Sequence, residues 1–125
     1  MKNLLLIFIF IFVIFCTEAK AVTYSEAITK SKPCAVIIYA DWADDLESVM
    51  SVFDSMEQVY GKKYNFVKLD IASSETKKFN KTYYIYPNLP YIMLFKEKGK
   101  TSRFLTKDCI NDSACIKDRF DFFAK

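Results

Sequence analysis

Apolar residues fall into short runs along this chain, and the spacing within each run separates strands from helices. Cys34–Ala40 is continuously apolar and rich in β-branched residues, which predicts a strand buried on both faces. Leu46, Val49, Met50, Phe53, Met56 and Tyr60 recur every three or four residues and predict a helix over Ala43–Tyr60 with one apolar stripe. Asp44 and Asp45 are expected in its first turn, where they favour the positive end of the helix dipole, and Gly61 is a natural stop. Tyr64–Ile71 alternates around Phe66, Val67 and Leu69 and predicts a second strand. Ser74–Tyr83 predicts a short polar helix with Ser74 as its N-cap.

Pro87-Asn88-Leu89-Pro90 then leads into Tyr91–Phe95, a third apolar strand. Lys96-Glu97-Lys98-Gly99-Lys100 predicts a solvated hairpin tip with Gly99 at positive φ, returning through a strand near Thr101–Leu105. At the two ends, Tyr24–Lys30 predicts a short helix opened by Ser25 and stopped before Pro33. Asp112–Ala124 predicts a last helix whose inner face carries Ile116, Phe120 and Phe123. The order α-β-α-β-α-β-β-α implies an α/β fold, with a mixed sheet of about four strands covered by helices on both faces. No repeat or Gly/Ser-rich linker interrupts residues 22–125, which predicts one domain.

The first 21 residues carry a different pattern. Lys2 precedes an unbroken apolar run of twelve residues, Leu4–Phe15, and Ala19-Lys20-Ala21 offers small residues at a cleavage site. This predicts a signal peptide over residues 1–21, cleaved after Ala21, and an exported protein, periplasmic or secreted. The run is shorter than the roughly 20 apolar residues of a spanning helix. Contact with a membrane is expected only if the segment is retained as an anchor. A lipoprotein signal at Cys16 is disfavoured by bulky Phe15.

Charge and side-chain chemistry narrow the function. The chain carries a net charge of +3, which falls to +2 without Lys2, Lys20 and Glu18; both signs are interspersed, unlike a nucleic-acid footprint or a polybasic membrane patch. The chain has no histidine. Ser–His and Cys–His catalysis are therefore excluded within it, and a zinc site is short of ligands, so neither metal nor cofactor is expected. Three cysteines follow the signal segment: Cys34, Cys109 and Cys115. Cys109 and Cys115, at the start of the last helix, are expected to form a stapling disulfide, with a redox pair or free thiols as alternatives. Cys34 reads as a small buried hydrophobe, or else as a thiol open to a mixed disulfide. Tyr83, Tyr84, Tyr86 and Tyr91 cluster in sequence and suit either a binding surface or the core.

With the elements in place, several segments resemble the thioredoxin superfamily over nearly all of Tyr24–Lys125. Tyr39-Ala40-Asp41-Trp42 resembles the passage from strand to active site. Lys68-Leu69-Asp70 resembles the central strand, and Tyr84 with Leu89-Pro90 and Tyr91–Lys96 resembles the segment around the family's cis-proline. The resemblance implies a three-layer sandwich, here with its first strand missing or very short. It also places Trp42-Ala43-Asp44-Asp45-Leu46 where redox-active members carry Trp-Cys-x-x-Cys. Ala43 cannot attack a disulfide, Leu46 cannot resolve one, and Ile37 stands where a buried acid would relay the proton.

The implied function is non-catalytic. A polypeptide or partner protein would be held near Trp42, Tyr86, Pro87, Leu89, Pro90 and Tyr91. The alternatives are a thiol–disulfide oxidoreductase or redox sensor using Cys109/Cys115, and a structural accessory subunit of a larger assembly.

Overall fold

The computed structural model describes residues 23–83 and 85–124, so the expected signal segment and Tyr84 lie outside the described residues. The elements are α1 (Tyr24–Ala27), β1 (Cys34–Tyr39), α2 (Leu46–Tyr60), β2 (Asn65–Asp70), α3 (Ser74–Thr82), β3 (Tyr91–Lys96), β4 (Thr101–Leu105), α4 (Lys107–Ile110) and α5 (Ser113–Phe123). The sheet runs β2-β1-β3-β4, with β1 parallel to β2 and antiparallel to β3, and β4 antiparallel to β3.

Two apolar layers follow from the period-two alternation of the strands. Ala35, Ile37, Phe66, Ile92 and Leu94 point to one face, where Val49, Phe53, Met56 and Tyr60 of α2 and Ile116, Phe120 and Phe123 of α5 cover them. Cys34, Val36, Ile38, Val67, Leu69, Tyr91, Met93 and Phe95 point to the other, under Tyr24 and Ala27 of α1 and Phe79 of α3. The unbroken apolar run of β1 is thus explained: each of its faces is a core. The mixed, doubly covered sheet is the architecture the element order implied.

Local chemistry moves several boundaries. Ala43–Asp45 forms a turn before α2 begins at Leu46, so Asp44 and Asp45 precede the helix instead of lying in its first turn. The cap of α1 is Thr23, whose hydroxyl accepts from the Glu26 N–H, and not Ser25. Ser25 instead donates to Glu75 across the layer at 2.7 Å. Ser73, not Ser74, occupies the N-cap position of α3. Gly61 caps α2 in right-handed geometry, with no left-handed residue. The hairpin holds Gly99 at φ 84° as expected, preceded by Glu97 and Lys98, also at positive φ.

One element, α4, was not foreseen. Thr106 caps it by accepting from the Cys109 N–H, and Asp112 caps α5 by accepting from the Ala114 and Cys115 N–H groups. The last helix starts where expected, with Asp112 as its cap, and a second capping side chain, Thr106, adds the short α4 ahead of it.

Candidate functional site

The Trp42–Leu46 turn and the Leu89–Pro90 loop both lie at the edge of the sheet where β1 ends and β3 begins. The Leu89–Pro90 peptide is cis. A single ammonium bridges the two segments: Lys107 Nζ lies 2.7 Å from Asp45 Oδ2 and donates to the Leu89 carbonyl at 3.5 Å. Asp45 sits at the N-cap of α2 without capping it; its carboxylate is turned to Lys107. The Leu89 N–H donates to the Pro87 carbonyl at 3.0 Å, so both backbone groups of Leu89 have partners within the chain.

Trp42 is 69% exposed and makes no hydrogen bond or ring contact among the described residues. The indole therefore presents a large apolar surface with a polar N–H to water. Ala43 and Leu46 are half-buried, and Asp44 is exposed. Ile37 is fully buried in the apolar layer under α2, so hydrocarbon fills the place where the resemblance puts an acid.

The cis-proline loop continues into an aromatic cluster. Tyr86 packs 4.9 Å from Phe104 and 5.6 Å from Tyr91, and Tyr91 lies 5.1 Å from Phe104. The Tyr86 N–H donates to the Tyr91 hydroxyl, pinning the loop to the strand. Tyr91, Leu89 and Pro90 are buried, whereas Tyr86, Pro87 and Phe104 are exposed. Of the binding residues expected from sequence, Trp42, Tyr86 and Pro87 thus offer surface, while Leu89, Pro90 and Tyr91 support it. Phe104 and Lys107 were missed. Phe104 reaches the cluster because β4 pairs it with Met93, and Lys107 because α4 turns it back over the loop. Neither register nor that helical turn is written in local sequence.

The cysteines are separated from this face in chemistry. Cys109 and Cys115 form a disulfide joining α4 to α5. The open cleft beside it, about 270 Å³, is lined by Arg103, Arg119, Asp108 and Asp112. A thiolate at Cys115 would need the amides at the start of α5, but Asp112 already occupies the Cys115 N–H. Cys34 is 2% exposed, and burial pushes its thiol up to about 12. Such a thiol is protonated at neutral pH and inert, in keeping with the hydrophobe reading. Among the described residues, no group of three or more carboxylates or cysteines could hold a metal ion.

No protein-family model matches the chain. A 57-residue stretch is 35% identical to the thioredoxin-like protein HCF164, chloroplastic, of Arabidopsis thaliana, over 46% of this chain and 22% of that protein. The chain thus spans about a fifth of the relative it matches. Among solved structures, the thioredoxin of Malassezia sympodialis, Mala s 13, superposes with TM-score 0.65 at 17% identity, covering 82% of this chain and 87% of that one. The reduced thioredoxin pre-protein of Schistosoma mansoni superposes with TM-score 0.59 at 21% identity, covering 75% and 81%. These structural likenesses concern the fold.

Proposed function

We propose that this thioredoxin-like fold is an exported domain that binds a polypeptide or partner protein without turnover. The binding face is the edge formed by Trp42, the cis Leu89–Pro90 loop and the Tyr86–Phe104 pair. One observation carries the proposal: the turn beside the cis-proline holds no thiol at Ala43 and Leu46, yet it still presents a 69%-exposed indole. Loss of chemistry with retention of contact surface favours binding. Tryptophan and tyrosine are the residue types that dominate contact energy at such surfaces.

The engaged backbone of Leu89 sets the mode. A partner that pairs with Leu89 must displace Lys107 and the Pro87 turn, whereas Trp42, Tyr86 and Phe104 are open to side-chain contact at once. Docking of a folded surface or an apolar side chain onto the aromatic residues is therefore favoured over strand addition.

A second reading uses Cys109/Cys115 as a relocated oxidoreductase or sensor pair, with the half-buried Cys115 at the start of α5 in its favour. The Asp112 carboxylate on the Cys115 N–H opposes it, because it disfavours the thiolate that exchange requires. In a third reading, the fold is a scaffold within a larger assembly.

The test is quantitative capture from the native compartment with the native chain, Trp42→Ala and Gln58→Ala. A partner bound through this face loses about 30-fold in affinity with Trp42→Ala, a hot-spot loss of about 2 kcal/mol, and is unaffected by Gln58→Ala on exposed α2. The thermal midpoint should be the same in all three, because both side chains are exposed. A partner retained in full by Trp42→Ala would contradict this face and favour the scaffold reading.

A further inference from the structure

The opposite edge of the sheet gathers charge that the linear sequence disperses. The registers Cys34↔Asn65, Cys34↔Phe95 and Lys96↔Thr101 place the starts of β1, β2 and β4 and the end of β3 along one line. The connections at that line carry Lys30 and Lys32 before β1, and Lys62 and Lys63 before β2. Lys96, Lys98 and Lys100 belong to the β3–β4 hairpin. Within residues 28–33, 61–64 and 96–100, Glu97 is the sole carboxylate, and it accepts from the Thr101 hydroxyl.

The three segments touch. Lys32 Nζ donates to the Gly61 carbonyl at 3.5 Å, and the Ile28 side chain lies against Gly99. Ser31, Pro33 and the hairpin lysines line one open cleft of about 670 Å³ with Phe123.

Apolar side chains flank this lysine edge. Val59 is 63% exposed two residues before Gly61, and Phe122 is 60% exposed beside Phe123, over whose ring Lys96 lies at 5.0 Å. Neither arginine, Arg103 or Arg119, is in these segments. Lysine is a point charge on a flexible stem and is suited to a diffuse anionic surface, whereas bidentate recognition of one phosphate or carboxylate would favour arginine. Clustered lysines beside exposed hydrophobes fit a lipid headgroup layer.

We propose that this lysine edge docks on the surface of an anionic phospholipid bilayer, with Val59 and Phe122 entering the headgroup region. The strands put about 20 Å between this edge and Trp42, so a docked domain keeps its proposed protein-binding face turned to solvent. The inference rests on the charge distribution and is independent of the Trp42 face.

The experiment is sedimentation of the full chain with vesicles of phosphatidylcholine alone and of equimolar phosphatidylcholine and phosphatidylglycerol. The apolar run at residues 4–15 is common to all variants and cancels in the comparison. The expected result is a strong preference for the anionic vesicles that fades as salt is raised. K96Q/K98Q/K100Q should lower the anionic partition about 100-fold, near fivefold per lysine, and K96R/K98R/K100R should retain it. K68Q/K77Q/K117Q, with the same charge change elsewhere, should stay within about twofold of the native chain. Equal binding to both vesicles, equal loss in the two glutamine variants, or equally tight binding to soluble poly-glutamate would overturn the proposal.

Discussion

Tyr24, Tyr60 and Tyr64 are buried as neutral phenols. Tyr64 donates to the Phe120 carbonyl at 2.6 Å, and Tyr60 donates to Asp121 at 2.8 Å. Burial pushes Tyr24 up to about 12; burial and then the Asp121 hydrogen bond take Tyr60 to about 12; and burial raises Tyr64 too. Below pH 10 these phenols are neutral in both the folded and the unfolded chain, and their contribution to stability is fully present. Above it, unfolded phenols ionise first, so stability is lost as pH rises towards about 12. Urea midpoints measured from about pH 9 to pH 12 should fall, and the fall should be shallower in Tyr60→Phe. A flat profile would contradict the burial. At this scale the absence of thiol and acid at these positions was legible, since Ala43, Leu46 and Ile37 are read directly from the sequence. Lys107 was not legible, because its partners lie 62 and 18 residues away.

Elements were legible where a periodic stripe met a core. The runs Cys34–Tyr39, Leu46–Tyr60 and Tyr91–Lys96 fall where the pattern placed them, within three residues at each end. Errors arose where polar side chains chose between partners: Ser25 bonds Glu75, Asp45 pairs with Lys107, and Thr106 caps the unforeseen α4. Such choices are settled by the neighbour available in space. Phe120 shows what α5 contributes, stacking 5.1 Å from Tyr60 and 5.9 Å from Phe66 with no exposure. Phe120→Ala should cost about 3–5 kcal/mol in urea unfolding. Lys107→Ala should cost about 1 kcal/mol or less, because both partners of its ion pair remain partly in water. The Lys107 variant should still expose the Leu89 N–H to faster hydrogen exchange by freeing the loop.

At the scale of the whole molecule, strand polarity separates the two proposed surfaces. One edge of the sheet collects Trp42, the cis-proline loop and the aromatic pair, and the other collects lysines from three separate connections. Net charge and linear order could not reveal this, since the lysines are spread over about 70 residues and meet only through strand register. The Cys109–Cys115 bridge ties the end of the chain to this frame across a separation of 6 residues. Replacing both cysteines with alanine should lower stability by about 2 kcal/mol in the chain-entropy model. The thermal midpoint should fall accordingly, with no change in capture through Trp42.

The fold is proposed to persist without thiol–disulfide turnover. Mass-resolved thiol trapping of the chain from its native compartment, repeated across a glutathione redox series, tests it most directly. Cys109–Cys115 is expected to be fully oxidised and to stay so until below about −300 mV, with Cys34 a protonated thiol throughout. A pair that is partly reduced in the cell and titrates between about −120 and −270 mV would overturn the non-catalytic reading and place active exchange chemistry at α5.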